Sequence, residues 1–148
     1  MTPRVRIERL SWWKPRYAVS GGSMWHGRLF REQLSDGQGR EFKPDGRKRF
    51  VLLVDGVESA SAARAGREWV VKASHATYVL RRREVLRDGL EIGTVRRAHA
   101  LRGAVEISLP DDVPADVQAF IGFVYLTLRR RAAASSGGAS GAIATGST

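Results

Sequence analysis

Apolar and polar residues alternate along much of the chain with a period of two. Val105, Ile107 and Leu109 fall on one face of an extended chain, and polar residues separate them. The segment Glu68–Ala73 alternates in the same way, whereas Phe50–Val54 is apolar on both faces. Successive side chains of a strand point to opposite faces, so this pattern predicts half-buried β-strands and one strand covered on both sides.

Turn signals separate these apolar runs. Asp55-Gly56 and Asp88-Gly89 each lie between two such runs, and the Asp-Gly pair tolerates the positive φ angles of tight hairpins. The polar stretch Ser35–Gly46 is rich in turn residues and is expected to form a long loop or an irregular hairpin. The spacing predicts a mainly β fold of about eight to twelve short strands, arranged as an antiparallel barrel or sandwich.

The last part of the chain predicts one helix over residues 114–131. Pro114 suits a first helical turn, with acidic residues around it and arginines at the far end, as the helix dipole favours. The acidic residues are Asp111, Asp112 and Asp116, and the basic ones are Arg129, Arg130 and Arg131. Between them, Val117–Leu128 is apolar on nearly every side. Such a helix has to be surrounded, and a curved sheet wrapped about it is the simplest arrangement.

The chain divides into one folded domain and a tail. Residues 1–131 are expected to form a single domain, because a chain of 148 residues can bury an ordinary hydrophobic core. Residues 132–148 are mostly Ala, Gly, Ser and Thr. They offer too little apolar surface to offset their conformational entropy, so we expect a disordered tail.

The C-terminal half of the chain resembles uncharacterised bacterial proteins of the tubby-like superfamily, which includes LURP-one-related proteins and phospholipid scramblases. The residues that carry the resemblance are Tyr78, Leu80, Asp88-Gly89, Ile92-Gly93-Thr94-Val95, Leu109–Pro114 and Val117–Phe120. The resemblance is clearest from Phe50 to Arg131. It implies an antiparallel β-barrel threaded by a hydrophobic C-terminal helix. Relatives range from phosphoinositide binding to proposed lipid scrambling, and no residue here matches a phosphoinositide ligand of the tubby proteins.

Charge and cysteine content narrow the range of partners. The formal net charge is +10 and the chain contains no cysteine, which favours the reducing cytoplasm and anionic partners such as lipid headgroups or nucleic acid. Arg far outnumbers Lys, as a GC-rich genome would produce without selection for phosphate binding. The N-terminus lacks the apolar core of a secretory signal, and Val117–Leu128 is too short to cross a bilayer.

The arginines near the Asp88-Gly89 turn are the candidate anion-binding residues. If the strands on either side of this turn pair, five arginines gather at one end of a hairpin. They are Arg81, Arg82, Arg83, Arg96 and Arg97. An ordinary solvated face is the alternative reading of this cluster.

Other chemistries have weaker support in the sequence. The histidines and serines show no metal-binding or nucleophile-elbow spacing, and Gly37-Gln-Gly39 is only half of a dinucleotide fingerprint. The three aspartates near the helix could bind a cation, although capping explains them better. The segment Trp12–Tyr17 mixes rings with basic side chains, as in single-stranded nucleic-acid binders, although a first barrel strand explains it better. The histidines are His26, His75 and His99, and the serines are Ser23, Ser35 and Ser74.

The sequence thus predicts a non-enzymatic binding module without a cofactor. Its expected partner is an anionic membrane surface or another acidic ligand, and its expected location is the cytoplasm, with peripheral membrane attachment. Nucleic-acid binding is the first alternative. An enzyme with an unrecognised site is the second alternative. It ranks below the first because no pairing of acid, base and nucleophile is visible.

Overall fold

A computed structural model describes residues 4–9, 16–19, 23–27, 31–97 and 104–146, with residues 136–146 described by their backbone alone. Twelve strands and one helix follow one another along these ranges. The strands are β1 (Arg4–Arg9), β2 (Arg16–Val19), β3 (Ser23–His26), β4 (Leu34–Ser35), β5 (Arg40–Pro44), β6 (Arg49–Val54), β7 (Val57–Ala65), β8 (Glu68–Ala73), β9 (Thr77–Arg81), β10 (Glu84–Arg87), β11 (Leu90–Arg97) and β12 (Val105–Ser108), and the helix is α1 (Ala115–Gly146).

The strands form a closed barrel. Each strand pairs antiparallel with the next one along the chain, and β1 pairs with β12 to complete the ring. At this closure Val5 lies opposite Ile107 and Ile7 lies opposite Val105, and all four of these side chains are buried. The predicted fold class is confirmed: the protein is mainly β, with a closed antiparallel barrel and one C-terminal helix.

Both Asp-Gly pairs form the tight hairpin turns that the sequence predicts. Asp55 and Gly56 have φ angles of 52° and 81°, and Asp88 and Gly89 have φ angles of 55° and 78°. Val54 pairs with Val57 across the first turn, and Arg87 pairs with Leu90 across the second. Positive φ at both central residues matches the right-handed twist of the flanking strands.

Helix α1 fills the barrel. Phe120, Ile121, Phe123 and Val124 are all 0% exposed, which confirms the prediction of a surrounded helix. The ring of Phe123 lies 5.0 Å from Trp25 of β3 and 5.6 Å from Phe42 of β5, measured between ring centroids. Aromatic pairs at these distances add to the stability that burial provides.

Gly122 allows α1 to lie close against the strands that close the barrel. A Cβ atom at this position would stand 2.6 Å from Cδ1 of Ile7 and 2.8 Å from Cδ1 of Ile107. Real Cβ atoms do not approach other atoms so closely, so a larger residue would require the ends of the Ile7 and Ile107 side chains, or the helix, to shift.

The helix extends beyond Arg131, the residue at which the sequence predicts its end. Its backbone is helical to Gly146, so the helix is longer than the sequence predicts, whereas the disorder expected for residues 132–148 stays a prediction. Ala132, Ala133 and Ala134 explain the continuation, because alanine has the highest helix propensity and no proline or glycine intervenes before Gly137. The side chains of residues 132–135 are exposed, as expected for a segment with little apolar surface.

The two ends of the barrel differ, and α1 runs from one to the other. At the entry end, where α1 begins, Arg40 pairs with Asp116, and Nη1 of Arg87 donates to Oδ2 of Asp112 at 2.9 Å. At the exit end Arg131 of α1 donates to the carbonyl oxygen of Arg47, in the turn between β5 and β6, at 2.7 Å. Among the described residues, the entry end includes turns 36–39, 55–56, 74–76 and 88–89, and the exit end includes turns 45–48, 66–67 and 82–83. Among the described residues, no helix has the length and apolar character needed to cross a membrane.

Candidate anion-binding site at the exit end of the barrel

The five candidate arginines gather at the exit end, as the hairpin argument predicts. Strands β10 and β11 pair across the Asp88-Gly89 turn, and the backbone N–H of Val95 donates to the carbonyl oxygen of Arg83 at 2.8 Å. This contact brings the end of β11, with Arg96 and Arg97, beside the Arg82-Arg83 turn. All five arginine side chains are exposed.

Two of these five arginines are engaged by carboxylates. Arg81 pairs with Glu68 on the neighbouring strand β8, and Nη2 of Arg96 lies 3.4 Å from Oε2 of Glu106 on β12. Among the described residues, no carboxylate pairs with Arg82, Arg83 or Arg97. The predicted cluster is therefore partly neutralised, and its free charge lies nearest the turn between β9 and β10.

A larger basic concavity opens beside this turn, between the end of the barrel wall and α1. We call it the exit-end pocket; its volume is about 820 Å³. None of the described residues that line it is acidic. The basic lining residues are Arg47, Lys48, Arg64, Arg67, Arg82, Arg129 and Arg131.

The topology of the barrel explains why these residues meet. Arg47 and Lys48 occupy the β5–β6 turn, Arg64 lies near the end of β7, and Arg67 follows it in the β7–β8 turn. In an antiparallel meander every second turn lies at the same end of the sheet, so these turns join Arg82 of the β9–β10 turn. Arg129 and Arg131, in the last part of α1 whose side chains are described, complete the ring of basic residues.

The floor of the exit-end pocket is apolar. It consists of Trp69, Leu80, Tyr125 and Leu128. Trp69 and Leu80 lie opposite each other on β8 and β9, and Tyr125 and Leu128 lie one helical turn apart on α1. Trp69, Leu80 and Tyr125 are buried and Leu128 is half-buried. The pocket thus offers an anionic ligand a positive rim and an apolar base.

Arg131 is held by the protein itself. Its Nε and Nη2 lie 2.5 Å and 2.9 Å from the two carboxylate oxygens of Glu32, and its guanidinium carbon lies 4.8 Å from the ring centroid of Phe50. A bidentate pair of this kind fixes the guanidinium plane. Arg131 therefore positions α1 at the rim of the exit-end pocket. The other basic residues that line the pocket are the ones available to bind a ligand.

The remaining six basic residues form what we call the rim cations: Arg47, Lys48, Arg64, Arg67, Arg82 and Arg129. All six are exposed, and in the ranges that the structure describes none pairs with a carboxylate. Nε of Arg64 donates to the carbonyl oxygen of Gly66 at 2.9 Å, which turns this side chain along the rim. Like charges this close repel one another, and a bound anion would relieve the repulsion.

Arg82 occupies a special place among the rim cations. It also lines a smaller adjoining pocket of about 560 Å³, together with Arg67, Arg81, Glu68 and Glu84. Its φ angle is 56°, in the left-handed region that L-residues other than Asn, Asp and Gly rarely adopt. Arg82 is the first central residue of the two-residue turn between β9 and β10, where glycine is common.

At the entry end, arginines pair with aspartates. Burial opposes the charged form of Asp36, but hydrogen bonds from the Gln38 backbone N–H and the Arg40 side chain outweigh it and hold the pKa of Asp36 below its ordinary value. Arg40 spans Asp36 and Asp116. Asp112 pairs with Arg87. Two of the three aspartates that the sequence offers as cation ligands, Asp112 and Asp116, thus pair with arginines.

The other candidates from the sequence lie away from the exit-end pocket. His75 Nε2 lies 2.6 Å from the Tyr78 hydroxyl, and Gly37 and Gly39 belong to the β4–β5 turn. Tyr17 is buried in β2, whereas Trp12, Trp13 and His99 lie outside the described residues. Across the described part of the chain, no three His, Cys, Asp or Glu side chains are grouped so that they could hold a metal ion.

Sequence reasoning identified Arg82 and missed the other five rim cations, because they come from separate turns and from α1. The signal that could have found them is the position of basic residues in alternate turns. Comparison with models of known protein families, with curated proteins and with solved structures finds no match to the chain. The exit-end pocket is therefore the feature of the protein that bears on its function.

Proposed function

We propose that the protein is a non-enzymatic binding module whose exit-end pocket takes a phosphate-bearing anion, with the headgroup of an anionic phospholipid as the ligand. The observation that carries this proposal is the pocket lining, which among the described residues has six rim cations without a carboxylate partner and no acidic residue. Five of the six are arginines, whose planar guanidinium groups match phosphate oxygens through two parallel hydrogen bonds.

The barrel architecture supports, as part of the same proposal, membership of the tubby-like superfamily. A closed antiparallel barrel around a buried C-terminal helix is the fold that this resemblance implies. We further propose a cytoplasmic protein that attaches peripherally to a membrane. The cytoplasmic leaflet is negatively charged, and a basic residue near such a surface contributes about 1 kcal/mol of binding free energy.

Co-sedimentation with vesicles tests the proposal. The chain is mixed with vesicles of phosphatidylcholine alone and with vesicles that also contain phosphatidic acid, at low and high salt. The pocket variant replaces Arg64, Arg67 and Arg129 by Gln. Removing three charges near the surface should lower the affinity for the acidic vesicles roughly 100-fold.

A matched control removes the same charge outside the pocket. Lys72, Arg83 and Arg97 are exposed and do not line the exit-end pocket, so replacing these three by Gln should preserve most of the affinity. Equal losses in the two triple variants would contradict a pocket-centred site and indicate a diffuse charge effect. A gel shift with an oligonucleotide runs in parallel. Tight nucleic-acid binding, with a salt slope that follows the number of phosphates contacted, and no vesicle binding would replace the proposal by its alternative.

A further inference from the structure

The apolar floor of the exit-end pocket adds information that charge alone does not provide. A phosphate group needs only the rim cations, and it gains nothing from Trp69, Leu80, Tyr125 and Leu128. Burying apolar ligand surface against such a floor is favourable. The occupant that uses both parts of the pocket has an anionic head and an apolar portion attached to it.

The position of the floor limits the shape of this apolar portion. Two floor residues belong to β8 and β9 and two belong to α1, so the floor lies where the barrel wall meets the emerging helix. The volume of about 820 Å³ falls in the range of pockets for small ligands, roughly 300–1,000 Å³. Trp69, Leu80 and Tyr125 each expose less than one-tenth of their surface, so the floor offers contact area for one apolar chain rather than two.

We propose that the exit-end pocket binds a monomeric phosphomonoester that carries a single apolar chain, with the phosphate among the rim cations and the chain on the floor. This inference rests on the proposed function, and it narrows the ligand from a headgroup at a membrane surface to a single-chain amphiphile taken up whole. Such a ligand binds from solution, without a bilayer.

A series of alkyl phosphates tests this inference. Hexyl, octyl and decyl phosphate are titrated into the full chain by calorimetry, each below its micelle concentration, with inorganic phosphate and octyl glucoside as controls. Each buried methylene contributes about 0.8 kcal/mol, so each one that reaches the floor should tighten binding about fourfold. Inorganic phosphate and octyl glucoside should both bind far more weakly than octyl phosphate, since each lacks one half of the ligand.

Two variants separate the floor from the rim. Leu128 is half-buried at the edge of the floor, and Leu128→Gln should reduce the gain per methylene while it leaves the affinity for inorganic phosphate unchanged. Arg129→Gln should weaken all the phosphates by the same factor and preserve the gain per methylene. Leu90→Gln is the matched control: this leucine of β11 is 71% exposed, and its replacement should leave the whole series unchanged.

The outcomes distinguish this inference from the proposed function. An affinity for alkyl phosphates that does not change with chain length in the wild-type chain would overturn the inference, even if acidic vesicles still bind and the proposed function stands. Absence of binding to both vesicles and phosphates would overturn both. The chain-length series on the wild type decides the question even if Leu128→Gln fails to fold.

Discussion

Replacing Arg82 by Gly tests whether this residue has a strained backbone and whether its side chain binds the anionic ligand. The φ angle of 56° places Arg82 in the left-handed region, which costs an L-residue roughly 1–2 kcal/mol. Glycine adopts this angle freely, although its greater freedom in the unfolded chain opposes the gain by roughly 0.5–1 kcal/mol. We expect Arg82→Gly to raise the free energy of unfolding by about 1 kcal/mol, which corresponds to an increase in Tm of roughly 2–4 °C.

The same substitution should weaken the binding of octyl phosphate roughly 10- to 150-fold, because a hydrogen bond to a charged group contributes about 1.5–3 kcal/mol. Arg83→Gly is the control. It removes the same side chain from the next position of the turn, where φ is not positive and the side chain does not line the pocket. This control should lower stability slightly and leave binding unchanged. A variant Arg82→Gly that is less stable than the wild type would refute the strain argument, and one that binds with full affinity would remove Arg82 from the site.

Three further predictions concern the core, the end of the helix and the entry end. Phe123→Ala should lower the free energy of unfolding by about 3–5 kcal/mol in a denaturant titration, because this ring is 0% exposed among other aromatic rings; an effect below about 1 kcal/mol would contradict a core role. Deleting residues 136–148 should leave Tm unchanged in a thermal melt, and a decrease of several degrees would show that this segment packs. Because the pKa of Asp36 is held below its ordinary value of 3.8, its ionised form stabilises the fold above that pH, and this contribution is lost as the pH falls through the lowered pKa. Asp36→Asn should therefore be less stable at neutral pH but lose less stability on acidification, as urea titrations at neutral pH and at about pH 3 would measure; identical acid profiles would exclude this role of Asp36.

The features that the sequence predicts correctly are those that depend on neighbouring residues. Period-two alternation identifies strands such as β12, and the pair Asp88-Gly89 predicts its hairpin because φ preference is a property of the residues in the turn. The buried helix follows in the same way from the all-round apolar segment around Phe120 and Phe123. Each of these inferences uses physics that operates within about ten residues.

The end of the helix and the ion pairs depend on contacts between distant residues. Arg131 appears in the sequence as a partner of the helix dipole, whereas in the structure α1 continues past it and its guanidinium binds Glu32, 99 positions earlier. Glu68 neutralises Arg81 from 13 positions away. In the sequence alone the barrel register is unknown. The adjacent arginines 81–83 are therefore easier to recognise than the scattered residues that line the pocket.

A GC-rich genome would account for the number of arginines in the chain, but it would not account for where the unpaired ones lie. With 25 Lys and Arg against 15 Asp and Glu, some cations must remain unpaired in any fold. Asp36, Asp55 and Asp88 lie in three turns of the entry end, whereas the exit-end turns 45–48, 66–67 and 82–83 each contribute at least one of the rim cations and hold one acidic residue, Asp45, which pairs with Arg49. Basic residues spread by composition alone would alternate with acidic ones at both ends and would meet water on all sides. Here six of them surround a concave apolar floor without an acidic neighbour in its lining, at a cost in mutual repulsion that a bound anion removes. The arrangement of these residues therefore argues for a ligand more strongly than the net charge does.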